Sequence, residues 1–325
     1  GPQPPDATKT LVSVRHGATW SGATTIVRNV DLQNGGTWRI TGDSTIGAMR
    51  NDKGVVAFAP SDASKTATLT ITGDYIGSNG LFLMRTYLGD DASPTDRIHV
   101  MGSTSGDSRI EVASLGGNGD YNREGIRLVQ VDGASTGHFA LAGRAVAGAN
   151  EYFLHQGSRS QPDDGDWYLR STVPEPIVEP GHGDDDGDDE PVVPPEDPWT
   201  PVLRPETGTY RANQTAVLEM FQDGPGAGED DEPDASRGAA WARFERHHTT
   251  FDFRDQITTT TSANELTLGS DLWRGGTAIE THVGVMAAVG QADTAGRSLL
   301  TRYAAKGHVR GAAAETAVPA RLADR

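Results

Sequence analysis

Cysteine is absent from the 325 residues, so no disulfide framework and no thiolate metal site can form. Aromatic residues make up only 6%, too few to fill a large conventional core with rings. No apolar run approaches the roughly 18 residues of a membrane helix, which leaves strands as the only route into a bilayer. The opening Gly1-Pro2-Gln3-Pro4-Pro5 has neither the basic nor the apolar stretch of a secretory leader, and reads as the interior of a longer protein. Positive charge is also short: the net charge of −17 repels phosphate backbones and excludes nucleic acid as a partner. What is abundant is glycine, 40 residues of it, which with so few aromatics points to a turn-rich, repetitive, all-β architecture.

Short strands between turn residues fill the first half. Thr68-Leu69-Thr70-Ile71-Thr72, Leu81-Phe82-Leu83-Met84, Arg97-Ile98-His99-Val100, Arg109-Ile110-Glu111-Val112 and Gly125-Ile126-Arg127-Leu128-Val129-Gln130-Val131 lead to Asp166-Trp167-Tyr168-Leu169-Arg170. Many alternate apolar with polar positions, giving one buried and one wet face. A sandwich and a parallel β-helix both accommodate this. Narrow strands with Gly-rich corners favour the solenoid, in which each coil stacks on the next. A right-handed parallel β-helix is expected over residues 30–172, after a fragmentary or disordered start at 1–29. Leu69, Leu83, Ile98, Ile110, Leu128, Phe139 and Phe153 are expected to point inward, with Trp167 and Tyr168 in a terminal cap.

Residues 173–205 change character. Nine prolines fall between 174 and 205, and Asp184 to Glu190 is acidic except for Gly187. Such a segment buries too little apolar surface to offset chain entropy and reads as an extended linker. A helix is expected at 206–222, where Ala212, Ala216, Val217, Met220 and Phe221 fall at helical spacing. Longer, weakly alternating strands follow over 237–310, such as Asn264 to Leu272 and Thr281 to Gly290. That pattern fits the strands of a transmembrane barrel and also those of an ordinary soluble sheet. The Ala-rich 311–325, with Pro319 inside, reads as an aberrant or disordered tail.

Taken in order, these segments resemble the pertactin-like autotransporters of type V secretion. Leu88 to Arg97, together with Gly125 to Val131, resembles the C-terminal passenger of that family. Asp166 to Arg170 resembles its last passenger strand, Arg204 to Gln214 the entry to its pore-spanning helix, and Gly238 to Arg243 with Leu266 to Leu272 its first barrel strands. The likeness covers about residues 30–310. It implies an all-β chain: the end of a β-helix passenger with an autochaperone cap, a linker, one helix, and an outer-membrane barrel that is incomplete. Only enough residues follow Arg237 for about four or five strands, where the family builds twelve. It further implies a protein that exports and folds its own adhesin-like passenger at the cell surface. For the intact parent it implies partnership with the outer membrane and its barrel-assembly machinery, and a host or surface ligand of unspecified nature. Family members that cut themselves in the pore helix use paired asparagines, whereas Asn213 precedes Gln214 here.

Catalytic, cofactor and metal sites are not expected. The run Asp184 to Glu190 lacks the spacing of a calcium loop. His247-His248, read as lying near a turn, would point to opposite faces of a strand and suits a metal poorly. Gly116-Gly117-Asn118-Gly119-Asp120 reads as a turn without the strand-then-helix context of a phosphate loop. Two other readings remain at this stage: a soluble structural or binding β-helix, and the non-catalytic end of an enzyme passenger.

Overall fold

The computed structural model describes residues 10–174, 199–219, 240–275, 279–317 and 320–322. They divide into two compact units, one ending at Val202 and one starting at Leu203.

In the first unit the chain winds through successive coils whose strands pair in parallel. β1 (Leu11–Arg15) and β2 (Thr19–Ser21) form the first coil, and β3 (Val27–Gln33) and β4 (Thr37–Ile40) the second. β5 (Ser44–Asp52) with β6 (Val55–Phe58), β7 (Thr68–Ile71) with β8 (Tyr75–Thr86), and β9 (Arg97–Val100) with β10 (Thr104–Ser114) make the next three. β11 (Ile126–Val131) and β12 (His138–Leu141) complete the stack.

The registers define three parallel ladders and hence three faces. Val12, Val30, Met49, Tyr75 and Thr104 stack along one. Trp20, Trp38, Val56, Phe82, Ile110 and Leu141 stack along the second. Ile46, Ile71, Val100 and Val131 stack along the third. Coils lengthen from under twenty residues at the start to about thirty at the end, within the range of solenoid repeats. Inward positions are almost all aliphatic or aromatic, and they form one continuous core from Val14 to Leu169.

The solenoid therefore begins earlier than residue 30. Residues 11–33 already supply the first coil and part of the second, because Val12, Val14 and Trp20 continue the inward columns. Of the seven residues expected inside, Leu69, Ile98, Ile110, Leu128 and Phe139 are buried. Leu83 and Phe153 are not: their neighbours Phe82, Met84 and Tyr152 take the inward places. A one-residue change of phase moves a side chain to the other face of a strand.

Parallel stacking stops with the coil of β11 and β12. β13 (Ala145–Ala147), β14 (Asn150–Gln156) and β15 (Trp167–Arg170) form an antiparallel meander, and β15 pairs with β11. β16 (Thr172–Pro174) then pairs with β17 (Trp199–Pro201). The linker is thus shorter than 173–205. Its two ends belong to a strand pair, and the acidic run itself lies outside the described residues.

The second unit holds α1 (Pro205–Glu219) against an antiparallel sheet. β18 (Ala240–Phe253), β19 (Ile257–Gly275), β20 (Ile279–Ser298) and β21 (Ala304–Ala317) follow one another, and β22 (Ala320–Leu322) pairs with the start of β20. Among the described residues the sheet is open, not a closed barrel. Helix residues 220–222 lie outside the described set. Two expectations are corrected here. His247-His248 sits mid-strand, and the turn comes at Arg254-Asp255-Gln256. The tail is strand through Ala317, paired along β20, because small alternating side chains suffice where the sheet receives a helix.

Candidate functional site: the capped stack and the seat of the helix

The cap is held by an aromatic column and by polar clasps. Tyr75, Phe82, Phe139 and Trp167 pack in succession, with Phe139 edge-on to Trp167 at 5.4 Å. Trp167 also meets His138 edge-on at 5.7 Å. The parallel core is thus continued into the antiparallel strands by side chains as well as by backbone.

Asp166 ties β15 to β11. Its carboxylate accepts the Val131 N–H at 2.8 Å and the Arg127 guanidinium at 3.1 Å. The Tyr168 hydroxyl donates to Asp164 at 2.8 Å; burial, together with these carboxylates, pushes its pKa upward. Asn122, fully buried, donates to the Leu169 carbonyl and accepts the Ser171 N–H at 2.9 Å. Asp91 accepts three successive N–H groups, from Arg123, Glu124 and Gly125, and so fixes the entry to β11. Arg159 and Arg170 lie over the Trp199 ring at 5.0 and 5.2 Å, which anchors β17 on the cap. Burial, and secondarily the Arg170 charge, pushes His155 down to about 4. None of this resembles a catalytic constellation. Every charged group of the cap described above serves a strand junction. Gly116, Gly117 and Gly119 carry positive φ in a loop that bonds to Leu88, so this segment is a turn.

In the second unit the seat of α1 is made of small residues. Ala216 packs on Ala292, with Ala263 and Val309 beside them. A Cβ on Gly296 would stand 2.7 Å from Thr209 Oγ1 and 3.2 Å from the Pro205 carbonyl, and one on Gly307 would collide with Asn213. Leu203 N–H donates to Gln256 at 3.0 Å, fixing the helix entrance beside the β18–β19 turn. A cavity of about 460 Å³ flanks the helix, lined among others by Arg211, Glu219, His247, Phe251 and Glu265. His247 faces this cavity and contacts Glu245 at 3.8 Å, while His248 points to the opposite face beside Ser262. Among the described residues no group of three His, Asp or Glu side chains gathers as a metal site.

Residues 44–154, from β5 into β14, match the Autochaperone Domain Type 1 family. The uncharacterized protein YdeU of Escherichia coli K12 is 35% identical over 262 residues, 75% of this chain and 53% of YdeU. The adhesin BmaC autotransporter of Brucella suis biovar 1 is 31% identical over 255 residues, 70% of this chain and 7% of BmaC. The autotransporter adhesin AIDA-I of Escherichia coli is 33% identical over 163 residues, half of this chain and 11% of AIDA-I. The chain belongs to the autotransporters. It spans about half of YdeU and a small part of BmaC and AIDA-I, and in this chain the autochaperone match covers the last four coils of the stack plus two of the three cap strands.

Proposed function

We propose that this chain is the folding seed and membrane-end module of an autotransporter. In this reading the capped coils nucleate passenger folding outside the cell, while α1 and its sheet belong to the outer-membrane translocator of the intact protein. The observation that carries it is the order of parts. A parallel stack ends in an antiparallel cap, that stack carries the autochaperone match, and a helix seated on an antiparallel sheet follows in the same chain. A cap supplies partners for strand edges that an open solenoid end leaves unpaired, so coils add to a finished template. Each added coil then buries apolar side chains at about 25 cal/mol per Å², a source of direction that needs no nucleotide.

An adhesive passenger is the reading we favour for the whole protein, since BmaC and AIDA-I are named adhesins. No catalytic role is assigned to this chain, and outer-membrane lipid and the barrel-assembly machinery are its proposed partners. Refolding kinetics test the seed. Removing residues 126–170 should slow refolding of the stack about tenfold or more, whereas removing 11–26 should leave the rate within about twofold, as expected for a nucleus and a non-nucleus element. Equal effects would exclude a templating cap.

A further inference from the structure

The face of the sheet turned away from α1 is divided sharply into two zones. Paired across the four long strands, Ala242, Leu268, Ala287 and Ala314 form one row, and Phe244, Leu266, Val289 and Ala312 the next. These side chains are exposed; Phe244 is 67%, Val289 55% and Leu268 52% accessible. With Leu272, beyond the single polar Ser270, the apolar positions extend along roughly 20 Å of β19, close to the ~25 Å apolar band of outer-membrane strands. The following row is Arg246, Asn264, Gln291 and Arg310, and it contains two guanidiniums and no carboxylate. Beyond it stand His248, Ser262, Asp293 and His308, then Thr250, Thr260, Ala295 and Lys306. Arg310 Nε donates to His308 Nε2 at 2.8 Å, and His308 Nδ1 donates to Asp293 at 2.7 Å. This relay orients the guanidinium along the boundary. In a chain of net charge −17, cations set at the margin of an exposed apolar band are a local reversal of sign.

We propose that the row from Arg246 to Arg310 lies at headgroup level in a bilayer and binds net-anionic phosphate headgroups of lipid. The proposal rests on reading the sheet as outer-membrane strands. Its chemistry follows from the row itself: guanidinium groups take phosphate oxygens in bidentate fashion, and a Lys or Arg near an anionic leaflet contributes about 1 kcal/mol. The leaflet is fixed within this unit. The row from Arg246 to Arg310 lies on the side of the apolar band toward the β18–β19 turn, where Gln256 holds Leu203 and where Gly208 of α1 meets Ile257. The headgroups bound are therefore those of the leaflet on the side from which the chain enters the helix.

Flotation of the full 325-residue chain with vesicles separates the possibilities. One set is phosphatidylcholine alone and the other is phosphatidylcholine with phosphatidylglycerol, each at low and high salt. We expect binding to both, about tenfold tighter to the anionic set at low salt, with the preference removed in Arg246→Gln/Arg310→Gln and phosphatidylcholine binding unchanged. Phe244→Asp/Leu266→Asp should weaken binding to both sets. Equal binding of the unaltered chain to both sets, or a preference that survives in the double arginine variant, overturns the headgroup assignment and leaves the lipid-facing sheet standing. Binding to neither set overturns that reading of the sheet and this proposal with it.

Discussion

Asp96 shows how one side chain joins neighbouring coils. It is completely buried and accepts the Ala67 N–H, the Arg85 N–H and two Arg85 side-chain donors, at 2.8 to 3.1 Å. Asp96→Ala would leave two backbone donors and a mostly buried guanidinium without that acceptor. We expect a loss of about 3–5 kcal/mol, measured by urea denaturation of the solenoid. His155 gives a pH effect of definite sign. Its folded pKa is depressed to about 4, so the native cap holds it neutral while the unfolded chain titrates at its ordinary value near 6.5. The contribution is intact above that ordinary value and is lost as pH falls from there toward 4, where the unfolded state takes up a proton the native state refuses. Allowing for its partial exposure, the loss between pH 7 and pH 5 is about 1 kcal/mol. His155→Gln should flatten that part of the stability profile, and an unchanged profile would contradict the assignment. At this scale the sequence was readable where apolar residues alternate strictly, as at Leu69 and Ile71. It was not readable where four apolar residues adjoin, as in Leu81-Phe82-Leu83-Met84, because alternation there has no phase. The aromatic column selects Phe82. Tyr152 displaces Phe153 because its hydroxyl reaches the Asp120 carbonyl at 3.1 Å.

At the level of elements, composition misleads wherever geometry asks for small side chains. Along β21 the positions on the helix side are Ala305, Gly307, Val309, Gly311 and Ala313. Their smallness removes the hydrophobic alternation by which a strand is recognised, so 311–317 reads as a tail although it is paired throughout. The same holds at the linker, where Pro174 and Pro201 hide a strand pair by standing at its ends, a place proline tolerates. The cap, by contrast, was foreshadowed by Trp167 and Tyr168, large side chains grouped in one short strand. The seat makes a prediction of its own. Gly296→Val would push into Thr209 and the Pro205 carbonyl and should weaken helix docking by about 1–3 kcal/mol. Amide exchange of α1 should accelerate while the exchange of β19 and β20 holds. Ala295→Val, one residue away on the opposite face, should be near neutral, and equal effects of the two would argue against the seat.

Across the whole stack the two ends are unlike. At the late end β11 is paired on both sides, by β9 in parallel and by β15 in antiparallel fashion, and β14 and β13 extend the antiparallel order. At the early end β1 and β2 each have one partner among the described residues, and Leu11 is 59% exposed. Stability in a solenoid is close to a sum of nearest-neighbour terms, so a coil with a single neighbour opens at lower cost than one held on both sides. Amide exchange should therefore be graded along the chain: slowest at Ile98, Val100, Ile110 and Val129, intermediate at Val30 and Met49, and fastest at Val12, Val14 and Trp20. Hydrogen–deuterium exchange under native conditions reads this directly. The gradient bears on the proposed seeding role, because growth from the capped end would require the last coils to hold while earlier ones are still adding. A flat profile, or one in which β1 and β2 outlast β9 and β11, would remove the physical basis for directional folding from the cap.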